Sequence, residues 1–212
     1  MIVQAMATVL DHVFLCTSAG APAAERLRTF GLVEGPPNRH PGQGTACRRF
    51  FFRNGMLELI WVQDEAEARA TPQTRLWERW SQAGRAASPY GVILRPAMGE
   101  AAECPFASWQ YRPPKMPDLV LEVASDTGID EPMWCFHPFG RAPVNPSNAQ
   151  EITGLRICCP DAAQGSVTRA MAEAGHVVLE SGTEHLMELE LDGGTRAGRA
   201  DFRPDLPLVV RT

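Results

Sequence analysis

Glu58 is the most anomalous side chain in this sequence. It lies in Met56-Leu57-Glu58-Leu59-Ile60-Trp61-Val62, an almost wholly apolar run. Period-two alternation groups Glu58 with Met56, Ile60 and Val62 and puts Leu57, Leu59 and Trp61 opposite, so both faces of a strand here are apolar. An ionised carboxylate in that setting is costly unless it is paired, hydrogen-bonded or bound to a metal. Glu58 is then either a functional base or ligand, or the buried partner of Arg48 or Arg53. His12, in Leu10-Asp11-His12-Val13-Phe14-Leu15-Cys16, shares a strand face with Phe14 and Cys16. It reads as a ligand or as a core histidine bonded to a backbone carbonyl. His40 opens His40-Pro41-Gly42-Gln43-Gly44-Thr45. Gly42 and Gly44 permit close backbone approach, and free amides there could hold an anionic or carbonyl oxygen. This is no P-loop, because no Lys-Ser/Thr follows the second glycine. His137 ends the aromatic stretch Trp134-Cys135-Phe136-His137, while His176 and His185 read as surface residues. Glu188 supplies a contrast: its run alternates as Leu186, Glu188, Glu190 against Met187, Leu189, Leu191, which gives it a solvated face.

The elements that must position these residues follow from periodicity and punctuation. Residues 10–16 read as a buried strand. A helix is expected over 22–30, with Ala23, Leu27 and Phe30 on one side and Gly31 as its stop. The Pro- and Gly-rich stretch from Gly35 to Thr45 can be neither helix nor central strand. Arg48 to Arg53 and Met56 to Val62 read as a hairpin turning at Asn54-Gly55. A short helix is expected over 74–80, and strands over 91–95, 119–124 and 133–136. Gly140 to Ala149 reads as a linker. Beyond it, strand, helix and strands recur at 152–158, 167–174, 176–180, 186–191 and 206–211, and Leu186-Met187-Glu188-Leu189 echoes Met56-Leu57-Glu58-Leu59.

The composition sets outer limits. The 212 residues carry 20 basic and 25 acidic side chains, a net charge of −5. That balance argues against a nucleic-acid binder. No apolar run reaches the roughly 18 residues that span a bilayer, and Met1 to His12 does not read as a signal peptide. The six cysteines at 16, 47, 104, 135, 158 and 159 form no CxxC pair. They read as reduced thiols of a cytoplasmic protein.

Leu10-Asp11-His12-Val13-Phe14-Leu15, His40-Pro41-Gly42-Gln43-Gly44-Thr45 and Met56-Leu57-Glu58-Leu59, taken in order, resemble the glyoxalase-like branch of the vicinal oxygen chelate superfamily. The likeness continues through Arg75-Leu76-Trp77-Glu78-Arg79-Trp80 and, more loosely, to Asp201-Phe202-Arg203-Pro204-Asp205-Leu206-Pro207-Leu208. It implies an α+β fold in which repeated βαβββ modules form a cupped, mostly antiparallel sheet around a central cleft. Residues 1–140 would form the cleft, with one module at about 10–62, and residues 150–212 a further βαβββ-like module packed on the same unit.

The resemblance also implies a divalent metal of open identity. His12 and Glu58 match the first ligand pair. The second pair is missing, because Val92 stands where a histidine is expected; His137, Glu122 or His40 could complete the set. The expected metal ligands are therefore His12, Glu58 and His137. Glu58 and His40 are the expected catalytic residues, and His40, Gly42, Gly44, Thr45, Trp61 and Trp134 the expected ligand contacts. The implied function is a metal-assisted lyase, isomerase or dioxygenase acting on a small carbonyl or vicinal-oxygen compound. A non-catalytic binding or sequestration protein of the same fold is the alternative, and a metal-free acid–base enzyme a third. The expected partner is a small molecule, not nucleic acid or membrane, and sheet pairing in a homodimer is a further option.

Overall fold

The computed structural model describes residues 7–97, 102–116, 118–141, 150–195 and 198–212. Except for Gly140 and Arg141, the expected linker lies outside the described residues. The first strand, β1 (Thr8–Cys16), leads into helix α1 (Ala24–Phe30), which Gly31 ends in the left-handed conformation expected of a helix stop. Then come β2 (Asn38–His40), β3 (Thr45–Phe51) and β4 (Met56–Val62). Two short helices, α2 (Glu65–Arg69) and α3 (Leu76–Ser81), precede β5 (Tyr90–Pro96), β6 (Ser108–Tyr111), β7 (Leu121–Ala124) and β8 (Met133–Phe136). The remainder comprises β9 (Ile152–Cys159), α4 (Ser166–Glu173), β10 (Val178–Ser181), β11 (Leu186–Leu191), β12 (Arg199–Asp201) and β13 (Leu208–Arg211).

The first eight strands form one sheet in the order β2-β3-β4-β1-β5-β8-β7-β6. β1 pairs parallel with β4, and β5 pairs parallel with β8. β1 and β5 pair antiparallel and join the halves. The second half, residues 90–136, thus repeats the connectivity of the first without a helix after its opening strand among the described residues. The last five strands form a separate sheet, β10-β9-β11-β13-β12. There the strand after the helix, β10, lies parallel beside β9, and β11 flanks β9 antiparallel on the other side. Over 150–212 the strand–helix–strands order recurs, with a pairing different from that of the first module. Alternation along a strand reveals its faces and not its neighbours, because neighbours are chosen by long-range packing.

The two sheets share one core. Val13, Leu15, Leu57, Leu59, Val92, Leu94, Trp134 and Phe136 of the large sheet join Leu155, Ile157, Met187, Leu189 and Val210 of the small one. Leu27 of α1 and Val167 and Met171 of α4 complete it. The outer face of the small sheet is polar: Glu188 pairs with Arg211 (2.8 Å) and Arg156 (3.6 Å). The opposite face of the large sheet carries Phe14, Cys16, Cys47, Ile60, Ile93, Met133 and Cys135.

Polar contacts also fasten the small sheet. The hairpin between β3 and β4 turns at Arg53-Asn54, one residue earlier than expected, with the Phe52 amide donating to the Gly55 carbonyl at 2.9 Å. Asn54 is thereby free to act as a strand-like partner for Ile152. Its Nδ2 donates to the Ile152 carbonyl (2.7 Å), and its Oδ1 accepts from the Ile152 amide (2.9 Å). On β8, the Trp134 indole donates to Thr168 Oγ1 on α4 (3.0 Å), and Thr168 donates to the buried Glu131 carboxylate (3.0 Å). Thr168→Val leaves the Trp134 indole N–H and Glu131 Oε2 without this partner, while Glu131 Oε1 keeps the Gly128 amide (2.8 Å). It should cost about 2–4 kcal/mol in urea unfolding, since each buried unsatisfied group costs about 1–3 kcal/mol. Thr168→Ser, which keeps the hydroxyl, should recover most of that.

Candidate functional site

A cavity of about 280 Å³ lies on the face of the large sheet that the small sheet does not cover. Its lining is mixed. Asp11, His12, Asn38, His40, Glu58 and His137 supply polar groups, whereas Phe14, Ile60, Leu76, Ile93, Leu121 and Met133 supply apolar walls. The Phe14 ring reaches its place because position 91 is glycine: a Cβ there would stand 1.9 Å from the ring. On the second half of the sheet Val92 faces the shared core, and the cavity meets Ile93, Met133 and Cys135 instead. The absence of a second ligand pair noted in the sequence is thus a wall of apolar and thiol side chains.

His12 is oriented by its own neighbour. Adjacent strand residues normally face opposite ways, but the β1–β5 register slips between Leu10 and His12, making Asp11 the extra residue of a bulge. Asp11 and His12 then both border the cavity, and His12 Nδ1 lies 2.6 Å from Asp11 Oδ1. Arg95 Nε stands 3.5 Å from the other Asp11 oxygen. With Nδ1–H donating to Asp11, Nε2 is the nitrogen left for chemistry. Burial, the largest single influence, acts to lower the His12 pKa. The Asp11 hydrogen bond and the charges of Glu58 and Asp11 outweigh it and hold the pKa above the ordinary value. His40 moves the other way: burial lowers its pKa against the pull of Glu58.

Glu58 is 7% exposed, and no arginine or lysine pairs with it among the described residues. The alternative of a buried ion pair is not what the structure holds: Arg48 bridges Glu34 and Glu25, and Arg53 pairs with Glu151. Arg49 is the cross-strand partner of Glu58, but its guanidinium donates to the Pro36 carbonyl and lies over the Phe51 ring. What faces Glu58 is Cys47, whose thiol donates to Glu58 Oε1 at 3.6 Å. Cys47 Sγ is also 4.0 Å from His40 Nε2, and His40 Nδ1 is 2.8 Å from Thr45 Oγ1. The donor atoms of His40, Cys47 and Glu58 lie within 4.8 Å of one another. Antiparallel pairing of β2, β3 and β4 places the three on one face, since Cys47 opposes Asn38 and Ile60 while His40 opposes Thr45.

The structure brings some expected residues together and separates others. His12, His40, Glu58 and His137 all border the cavity. His12 and His137 belong to no cluster of three close donors among the described residues; of the three expected ligands, only Glu58 does. Thr45 contributes by holding His40. Trp61 and Trp134 pack into the shared core on the opposite sheet face, away from the cavity. Glu122 is engaged by Ser108 and Gln110. Gly44 has φ +72°, and a Cβ on it would stand 2.4 Å from the Asp64 carbonyl and the Ala68 amide. Its own amide donates to Glu67 Oε2 at 3.1 Å, so it is not free for a ligand. Gly42, at φ +86°, packs on Pro114. Both glycines shape the loop that carries His40 and Gln43 to the cavity. Three residues escaped the sequence reading: Asp11, Cys47 and Tyr111. Period two across the hairpin could have flagged Cys47. Tyr111 borders the cavity with a buried hydroxyl that has no partner among the described residues, and burial, with the Glu67 charge, pushes its pKa up to about 12.

The glyoxalase-like domain family matches residues 10–127, more than half of the 212. The chain belongs to that family. The glyoxalase-like match contains β1 from residue 10 onward, β2 to β7 and every cavity residue named here except Met133, Cys135 and His137. No curated protein matches the chain. Among solved structures, one described as a hypothetical protein from Staphylococcus aureus is 10% identical, covers 97% of this chain and 99% of its own, and superposes with a TM-score of 0.52. At that identity the likeness speaks for the fold alone, and its coverage includes the second sheet.

A divalent cation suits the donor set of this glyoxalase-like domain. Cys47 and Glu58 would repel if both were ionised without a cation, and burial together with the Glu58 charge pushes the Cys47 thiol well up. Imidazole, thiolate and carboxylate together are ligands typical of zinc-like ions. Two histidines of one cavity shifted in opposite directions also yield a direct measurement. In a proton NMR titration the His12 ring should titrate above about 6.5 and His40 below it. Asp11→Asn should bring the His12 value down. Because the folded pKa of His12 is raised, its stabilising contribution is complete below pH ~6.5 and is lost as pH rises through the folded value.

Proposed function

We propose that this glyoxalase-like domain is an enzyme that moves a proton on a small molecule carrying a carbonyl and an adjacent oxygen, with a divalent cation held by His40, Cys47 and Glu58. The observation that carries this reading is Glu58 itself: a buried carboxylate at a cavity, with no cationic side chain to neutralise it among the described residues. A cation bound there would supply Lewis-acid polarisation of a substrate oxygen. Cys47 engages one Glu58 oxygen, and the other has no protein partner among the described residues. Glu58 accepts the proton from the carbon beside the carbonyl, as a general base within a cavity that holds the two in contact. Negative charge then gathers on the carbonyl oxygen. Protonated His12, held by Asp11 through Nδ1–H and donating from Nε2–H, and the Tyr111 hydroxyl, unpartnered among the described residues, are the donors available to it. For an α-hydroxycarbonyl substrate, return of the proton from Glu58 to the former carbonyl carbon, with the substrate's hydroxyl proton passing to the former carbonyl oxygen, completes an isomerisation without a net change of atoms. The apolar walls, including Phe14 and Ile93, fit the substrate's hydrocarbon portion.

The apolar second half of the sheet favours one other reading, a protein that binds such a molecule without converting it. A panel of small α-hydroxycarbonyl and dicarbonyl compounds separates the two. Turnover of at least one, falling at least ~100-fold in Glu58→Gln, is expected of the enzyme. Stoichiometric binding without turnover supports sequestration. Since no arginine or lysine pairs with Glu58 among the described residues, chelator-stripped Glu58→Gln should melt within about 1 kcal/mol of the equally stripped parent rather than losing the roughly 3–5 kcal/mol of a broken buried pair. A Glu58→Gln variant that turns over substrate at the parental rate would remove the base from this mechanism.

A further inference from the structure

We infer that Cys47 is a direct metal ligand and that it makes the site selective for thiophilic d-block cations such as zinc and cobalt(II) over magnesium and calcium. This inference rests on the cation invoked in the proposed function and names its chemistry. Cys47 has no exposed surface and lies behind His40 and Glu58, which border the cavity. Its sulfur is 3.6 Å from Glu58 Oε1 and 4.0 Å from His40 Nε2. Donors bonded at ~2.0–2.3 Å to a tetrahedral cation stand about 3.3–3.8 Å apart. The three donors, within 4.8 Å of one another, are thus within about 1.5 Å of ligating separations. Thr45 fixes the orientation of His40. When Nδ1–H donates to Thr45 Oγ1, the Nε2 lone pair faces Cys47.

The cavity is poorly furnished for a hard cation. Calcium takes six to eight oxygen ligands, and magnesium an octahedron of oxygens. Among the described residues only Glu58 and Asp11 offer carboxylates at the cavity, and Asp11 is engaged by His12 and faces Arg95. A thiolate, by contrast, favours softer ions. Charge closes as well. One dication against the Cys47 thiolate and the Glu58 carboxylate, with His40 neutral, leaves the buried site uncharged. The thiol proton passes to solvent on binding.

Cobalt(II) reports sulfur ligation directly, because a thiolate–cobalt bond gives a strong near-ultraviolet charge-transfer absorption. The untagged, chelator-stripped protein is titrated with cobalt(II) chloride. The expected result is a saturable charge-transfer band at one ion per chain, abolished by equimolar zinc and untouched by a large excess of magnesium. Cys47→Ser should lose the band and bind zinc at least ~10-fold more weakly, a loss at least as large as that typical of second-shell changes. Cobalt binding without the band, or a Cys47→Ser variant with parental zinc affinity, overturns the inference and leaves the proton-transfer reading standing on Glu58. A parent that binds neither cobalt nor zinc overturns the inference together with the metal-assisted part of the proposed function. The first test uses the parent protein alone, so a folding defect in the variant cannot obscure it.

Discussion

Glu58 stays buried on β4 beside no arginine or lysine among the described residues, and much of the surrounding structure answers to that one charge. Residues that would otherwise neutralise it are drawn elsewhere: Arg48 to Glu34 and Glu25, Arg53 to Glu151, Arg49 to the Pro36 carbonyl. Its neighbours on the same face are a thiol and an imidazole, groups that donate to a carboxylate or share a cation with it. A buried charge is tolerated where it is hydrogen-bonded or metal-bound, and this arrangement keeps both routes open.

The large sheet has one face for stability and one for chemistry. The core face of β1, β4, β5 and β8 packs on the small sheet, and the cavity face holds the polar cluster. The second half of the sheet has no helix after its opening strand among the described residues. Its β8 instead meets α4, where Trp134, Thr168 and Glu131 form a buried relay. The small sheet therefore backs the large one and supports the face that carries the cavity. Its own glutamate in the echoing segment, Glu188, faces outward and is paired with arginines, a role unlike that of Glu58.

Local irregularities supply what regular strands cannot. The bulge at Asp11 turns two consecutive side chains to one cavity and so makes an aspartate–histidine pair from neighbours. The positive φ of Gly44, wedged against α2, sets the loop that brings His40 back toward β3. Without these two departures His12 would lack its orienting carboxylate and His40 would not face Cys47.

Residue types and period two, with no other information, determined the main strands, the helix stop at Gly31, the shared face of His12, Phe14 and Cys16, and the burial of Glu58. Those features are local: they depend on alternation, turn chemistry and the cost of burying charge. Only the tertiary structure decided that β5 to β8 complete the large sheet, that residues 150–212 pair as a different sheet, and that Trp61 and Trp134 face the core. Strand neighbours and sheet faces at a distance are set by packing between segments far apart in the chain. The same holds for the cluster. Asp11 came to His12 through a one-residue slip, and Cys47 came to Glu58 through a hairpin turning one residue early. The early turn moves the pairing by two positions and keeps every side chain on its face. Alternation therefore indicated the correct face for Cys47, and only the register settled which residues it would meet.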